Sequence, residues 1–226
     1  MSPHRGRRGD PYAGIPGRRL FVAAPLPQDA ADAVRGIVDE VRAQALPARA
    51  RDVRWVRLES LHLTLRFLGP TAEERVGPTA DAVRAVAYGA AGPIDLELGG
   101  SGTFPIGGRP RALWLGIAAG AEALAGLTAE LETALAGAGW DRDDRPFRAH
   151  LTLARSDGIT AGALVAERLG SVIADRRIAA RVESLGLFES VTGGGPARYV
   201  PVTSAPLGAI PADAADVYHQ PIPGAP

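Results

Sequence analysis

Cysteine and lysine are both absent from the 226 residues, and each absence removes whole classes of chemistry. Without cysteine the chain has no disulfides, no thiolate metal ligands and no cysteine nucleophile, and its redox compartment is left open. Every one of the 25 basic residues is an arginine. A P-loop lysine, a Schiff base and a lysyl-nucleotide intermediate are therefore excluded.

The sequence also lacks a net charge and a long apolar run. Because 25 acidic residues balance the arginines, no overall field attracts nucleic acid or anionic lipid, and a polyanion must be bound by a local patch. No apolar stretch approaches about 18 residues, and no apolar region follows the basic N-terminus. We therefore expect a cytoplasmic monomer with no membrane partner.

Composition divides the chain into a folded region and two tails. Residues 1–17 are basic and rich in glycine and proline, and residues 207–226 are rich in alanine and proline. Neither segment has the hydrophobic periodicity of a helix or strand, so both are predicted to lack stable structure. The intervening residues 18–206 are predicted to form a single bilobal domain.

One short sequence occurs twice. The tetrad His-Leu-Thr-Leu at residues 62–65 returns unchanged at residues 150–153. Each copy lies in a short run with apolar residues at every second position, which predicts a strand. Side chains at i and i+2 share one face of a strand, so His62 and Thr64 are predicted to point away from the leucines and Phe67.

A single His-x-Thr is ordinarily the polar face of a half-buried strand, and the repeat favours a site instead. Only four histidines occur, and two of them, His4 and His219, lie in tail-like segments near the chain termini. Both histidines of the predicted folded region, His62 and His150, therefore fall in the duplicated tetrad.

Strands and helices are predicted to alternate around the two tetrads, which indicates an α+β fold. Thr71 and Glu74 are predicted to form a capping box for the second helix, with a kink or a start at Pro78. The glycine-rich stretch at 99–105 is predicted to be a connecting loop, because it lacks the lysine and the following helix of a phosphate loop. Predicted strands are 19–24, the two tetrad runs, 94–98, 112–117, 178–188 and 198–202; predicted helices are 29–46, one after residue 71, 124–135 and 160–169.

Two histidines across a cleft can share proton transfer. One neutral imidazole can take a proton from water while the other, cationic, gives a proton to a leaving oxygen. The hydroxyls of Thr64 and Thr152 can donate to the oxygens of one anion between them. Zinc needs at least three ligands and no acidic residue neighbours either histidine in sequence, so we predict no metal and no cofactor. Ser60 and Ser156 lie outside any G-x-S-x-G elbow.

The two tetrads, the opening strand at 19–23, the Trp55-Val56 lead-in and the segment 146–155 resemble the 2H phosphoesterase superfamily. Within it they resemble the bacterial and archaeal RNA 2′,3′-cyclic phosphodiesterases, also called 2′-5′ RNA ligases, over roughly residues 18–206. The resemblance implies a bilobal fold of two pseudo-symmetric lobes, with mainly antiparallel sheets around a central cleft. It also implies hydrolysis of an RNA-terminal or mononucleotide 2′,3′-cyclic phosphate to a 2′-phosphomonoester.

Residue roles follow from the resemblance. His62 would be the proton donor to the departing 3′ oxygen and His150 the acceptor that activates water, while Thr64 and Thr152 would hold the phosphate. Arg155 matches a family arginine near the phosphate, although strand alternation predicts that it points with the leucines.

Other functions remain open. They are a different 2H activity, such as cleavage of 2′-5′ linkages or ATP-free ligation, and an RNA-end-binding module without turnover. A binding module has no need for an acid and a base, so the intact tetrads favour an enzyme. Trp55, Phe104 and Tyr199 are candidates for stacking on a base, with packing in the core as the alternative.

Overall fold

The computed structural model describes residues 15–44, 53–156, 161–191 and 197–209. Most of the two predicted tails lies outside these ranges, and so does the predicted end of the first helix at residue 46. The strands are β1 (Arg18–Pro25), β2 (Val53–Trp55), β3 (His62–Thr71), β4 (Ile94–Phe104), β5 (Ala112–Ala119), β6 (His150–Ser156), β7 (Ile178–Val182), β8 (Ser184–Val191) and β9 (Arg198–Pro206), and the helices are α1 (Gln28–Gln44), α2 (Glu73–Gly89), α3 (Ala121–Gly137) and α4 (Ala161–Ile173).

The strands of the described residues form one antiparallel sheet in the order β7-β4-β5-β6-β3-β1-β8-β9, with β2 paired to β6. The two tetrad strands, β3 and β6, are central neighbours, and their ladder contains a single residue pair, Leu63 with Leu151. β3 therefore closes a half of four strands, and β6, with β2 paired to it, closes a half of five. The predicted bilobal α+β fold is confirmed.

All the helices of the described residues pack on one face of the sheet. The apolar stripe of α1, which includes Val34 and Val41, is buried, and the leucines of both tetrads join the same core. Packing the helices in two pairs, α1 with α4 and α2 with α3, leaves the opposite face of the sheet open. No helix in the described part of the chain has both the length and the apolar composition to cross a bilayer.

The glycine-rich stretch is not a loop, as the sequence predicts, but the second half of β4. Gly100 has a φ of +67° where the β4–β5 register shifts, a conformation that glycine adopts without strain. Gly102 is paired with Trp114 of β5, whose ring lies directly over it. The glycines therefore allow a bulge and a close contact with an aromatic ring, and they do not form a chain-reversing loop.

The predicted capping box is also wrong. Thr71 is the last residue of β3, and its hydroxyl donates to the Gly69 carbonyl oxygen at 3.0 Å. Ala72 is the N-cap of α2 and supplies no side-chain hydrogen bond. The helix then continues through Pro78, so neither the predicted cap nor the predicted start at Pro78 is found.

The single strand predicted at 178–188 is two strands on different halves of the sheet. β7 pairs with β4 and β8 pairs with β1, and the break falls at Glu183, whose carbonyl oxygen accepts from the Leu207 amide at 2.9 Å. No glycine or proline marks this point in the sequence. Apolar residues alternate on both sides of the break, so the sequence pattern predicts one continuous strand.

Candidate active site

The structure brings the four predicted tetrad residues together on the open face of the sheet. Because Leu63 pairs with Leu151 in antiparallel strands, the register sets His62 across from Thr152 and Thr64 across from His150. All four side chains are half-buried, whereas the flanking leucines are buried on the other face. The result is two equivalent His-Thr sets related by an approximate twofold axis through the leucine pair.

Each imidazole is held through its Nδ1 by a backbone carbonyl two residues earlier in the chain. His62 Nδ1 lies 2.7 Å from the Ser60 oxygen, and His150 Nδ1 lies 2.7 Å from the Arg148 oxygen. A carbonyl oxygen can only accept, so Nδ1 must carry the hydrogen in both rings. Nε2 is therefore the nitrogen left to accept a proton when the ring is neutral and to donate one when it is cationic.

Burial lowers the pKa of both histidines below the ordinary value. For His62 burial is the largest cause, and the positive charges of Arg155 and His150 lower the pKa further. Burial and Arg155 have the same effect on the pKa of His150. In each case the hydrogen bond to the carbonyl opposes the shift. The free site thus favours neutral imidazoles, and a bound anion would restore the cationic form that a proton donor needs.

Arg155 faces the site, although strand alternation predicts the opposite. A β-bulge in β6 inserts Leu153 as an extra residue, because Trp114 pairs with Thr152 while Ala112 pairs with Arg155. Trp114 and Ala112 are two residues apart and share a face, so Thr152 and Arg155 share one too. The effect of the Arg155 charge on both histidines agrees with this placement.

A matching bulge in β3 moves Phe67 to the open face. The prediction that Phe67 points to the same side as the leucines is therefore also wrong. Phe67 pairs with Phe21, and its ring lies 5.8 Å from the Phe21 ring. With 53% of its surface exposed, Phe67 occupies in the first copy the position that Arg155 occupies in the second. The two halves of the site are therefore alike in their His-Thr sets and different beside them, one apolar and one cationic.

Aromatic rings hold both imidazoles edge-on. The Tyr199 ring lies 5.0 Å from His62 at an interplanar angle of 88°, and the Phe104 ring lies 5.0 Å from His150 at 82°. Buried Phe21 supports His62 from below at 5.1 Å, a contact that the sequence did not reveal. Trp55 packs on the core side beneath Arg42, so of the three predicted stacking candidates only Phe104 and Tyr199 lie at the site.

A buried arginine on the helical side fixes the segment that leads into β6. Arg66 is 9% exposed. Its Nη1 lies 3.4 Å from a carboxylate oxygen of Glu132 and 3.3 Å from one of Asp143. Its Nη2 donates to the carbonyl oxygen of Asp141 at 2.5 Å. The hydrogen bond from Arg145 is the main cause that lowers the Asp143 pKa to about 2. Arg66 therefore connects the first tetrad strand to the loop before the second, a connection absent from the sequence analysis.

In the described ranges, no three histidine, aspartate or glutamate side chains come together as a set of metal ligands. The serines considered in the sequence have other roles. Ser60 supplies the carbonyl that binds His62, and Ser156 is a buried residue at the end of β6.

Comparison with known protein families gives a match over most of the chain. The model of the 2′-5′ RNA ligase superfamily matches residues 26–194, about three quarters of the chain. The chain belongs to the 2′-5′ RNA ligase superfamily. The resemblance carried by the tetrads is thereby confirmed at the level of the family.

Several known proteins are similar to this chain in sequence or structure. An RNA 2′,3′-cyclic phosphodiesterase of Geobacillus stearothermophilus is 36% identical over 135 residues, which are 60% of this chain and 41% of that protein. One from Archaeoglobus fulgidus is 32% identical over 61% of this chain and 72% of its own length. The structure of Escherichia coli LigT complexed with 3′-AMP matches at a TM-score of 0.62 with 26% identity, over 85% of this chain and 99% of LigT. The alignment thus spans less than half the length of the Geobacillus relative.

Proposed function

We propose that this superfamily member hydrolyses the 2′,3′-cyclic phosphate of an RNA end or a mononucleotide to a 2′-phosphomonoester. The observation that carries the proposal is the pair of imidazoles on one open face, each with Nδ1 bound to a carbonyl and Nε2 left for a substrate. The relatives named RNA 2′,3′-cyclic phosphodiesterase support the choice of substrate.

The two proton transfers of the reaction are divided between the two His-Thr sets. His150, neutral, accepts a proton from water at Nε2 as the water oxygen attacks phosphorus. His62, cationic, gives its Nε2 proton to the 3′ oxygen as the bond between that oxygen and phosphorus breaks. In-line displacement requires the water and the leaving oxygen on opposite sides of phosphorus, which one histidine on each side of the phosphate provides. Proton exchange with solvent then returns His62 to the cationic and His150 to the neutral form.

The threonines and Arg155 stabilise the charge that collects on the phosphate. The register places one threonine hydroxyl opposite each histidine, so Thr64 and Thr152 can each donate to a non-bridging oxygen from opposite sides. Arg155 adds a positive charge on the same face of β6. Donors fixed before the reaction lower its barrier without having to reorganise.

The experiment is a turnover assay on adenosine 2′,3′-cyclic phosphate, with the product identified by phosphorus NMR. We expect adenosine 2′-phosphate alone, and we expect the same rate with and without EDTA. Recovery of adenosine 3′-phosphate would overturn the assignment of His62 to the 3′ oxygen. Loss of turnover in EDTA would overturn the metal-free mechanism, and no turnover at all would refute the proposed activity.

A further inference from the structure

A second arginine lies directly beside Arg155 on the open face. Arg54 of β2 is the cross-strand partner of Arg155 in an antiparallel pair without a register shift. Its neighbours Val53 and Trp55 pack on the core side, and Arg54 itself is exposed. Residues paired across antiparallel strands point to the same face, so Arg54 shares the face of Arg155, Thr152 and His150.

This pairing is unfavourable for the protein alone. Like charges directly opposite each other in a sheet destabilise it. Within residues 15–44, 53–156, 161–191 and 197–209, neither guanidinium has a carboxylate within salt-bridge distance, whereas Arg18 and Arg66 each have two and Arg181 has one. Two adjacent guanidinium groups without a carboxylate partner in these ranges have the chemistry to bind an anion such as a phosphate.

The offset along β6 separates Arg54 from the reacting phosphate. Arg155 follows Thr152 by two pleat steps, roughly 7 Å at the usual strand rise, and Arg54 lies beside Arg155 on β2, which occupies the same edge of β6 as β3. Arg155 is close enough for its charge to reach both histidines. Arg54 is not among the charges that shift the pKa of either histidine, so it is the member of the pair farther from the imidazoles.

We propose that Arg54, beside Arg155, binds the phosphodiester that links the terminal nucleotide of an RNA to its 5′ neighbour. The inference rests on the proposed function and adds a preference within it: the site takes an oligonucleotide end in preference to a mononucleotide, because only the former carries the second phosphate. Arg54 acts in binding, and the chemical step depends on the histidines and threonines.

The test compares two substrates in one assay: adenosine 2′,3′-cyclic phosphate, which has a free 5′ hydroxyl, and the dinucleotide ApA ending in a 2′,3′-cyclic phosphate. For Arg54→Gln we expect KM for the dinucleotide to rise about tenfold, as for the loss of a charge-assisted hydrogen bond, with kcat unchanged. Both constants for the mononucleotide should stay at the wild-type values. The slope of log KM against log salt for the dinucleotide should fall by about 0.7, the value for one lost phosphate contact on a single strand.

Arg168→Gln is the matched control, since Arg168 is an exposed arginine on α4, on the helical side of the sheet. Arg168→Gln should leave KM and kcat unchanged for both substrates. Arg54→Lys should keep most of the salt slope for the dinucleotide because it keeps the charge. Arg54→Gln should unfold at the wild-type urea concentration or above it, since it removes a like-charge contact.

The outcomes separate the two proposals. If the wild type hydrolyses neither substrate, the proposed function fails. If it hydrolyses both and Arg54→Gln impairs them equally, Arg54 acts on the reactive phosphate, so the second-phosphate inference fails while the proposed function stands. Unchanged constants for both substrates would likewise refute the inference.

Discussion

Gly102 lies under the Trp114 ring, and replacing it by alanine tests whether that contact supports the site. A Cβ at residue 102 would overlap Cζ2 and Cη2 of Trp114 and would lie 2.9 Å from its Cε2. Carbon atoms pack best at about 3.5–4.0 Å, so relieving the closest overlap requires the ring to retreat by about 1 Å or more. Overpacking of this kind costs about 1–3 kcal/mol of the free energy of unfolding.

The displaced ring also bears on catalysis. Trp114 lies 5.4 Å from Phe104 and 6.1 Å from His150, measured between ring centroids. A misplacement of about 1 Å at a catalytic group can reduce the rate about 10²-fold. We therefore expect Gly102→Ala to lower both the unfolding free energy, measured in urea, and kcat on a cyclic nucleotide.

Gly126→Ala supplies the opposite control. Gly126 is exposed within α3, and a Cβ there would meet nothing within 4 Å. Alanine in place of glycine inside a helix stabilises it by about 0.5–1 kcal/mol, and kcat should not change. A Gly102→Ala protein as stable and active as the wild type would refute the packing described for Trp114.

Three further predictions concern the charged and polar groups. Thr152→Val keeps the shape of the side chain but removes the hydroxyl, so kcat/KM should fall about tenfold or more without a change in unfolding midpoint; an unchanged kcat/KM would exclude a contact with the phosphate. Arg66→Met leaves Glu132 and Asp143 without their buried cation and should lower the unfolding free energy in urea by about 3 kcal/mol, whereas a loss under about 1 kcal/mol would show that the network stabilises little. Arg155→Gln removes a charge that lowers the pKa of both histidines, so the pH profile of kcat/KM should move to higher pH, and a shift to lower pH would contradict the electrostatics.

The tetrads could be predicted from sequence because their signal is local. Alternation within β3 and β6 indicates strands, and repetition singles out His62, Thr64, His150 and Thr152 from other polar-face residues. The same reasoning fails after the fourth residue of each tetrad, since a bulge reverses the alternation there. Arg155 and Phe67 were assigned to the wrong face for this one reason.

Other parts of the site depend on contacts between distant residues. The pairing of Arg54 with Arg155 and the support of His62 by Phe21 are set by strand order, which the sequence does not state. The glycines at 99–102 looked like a loop because the residue that requires one of them, Trp114, lies on the neighbouring strand. Local patterns thus predicted the reactive groups, and tertiary packing determined what surrounds them.

The requirement for both His62 and His150 is tested most directly by single-turnover rates on adenosine 2′,3′-cyclic phosphate. His62→Asn and His150→Asn should each lower the rate about 10²-fold or more, with circular dichroism and the urea midpoint showing that the fold is kept. Because the two imidazoles act in one displacement, the double variant should be slower than the singles by much less than the product of their effects. Either single variant within tenfold of the wild-type rate, correctly folded, would contradict the two-histidine mechanism.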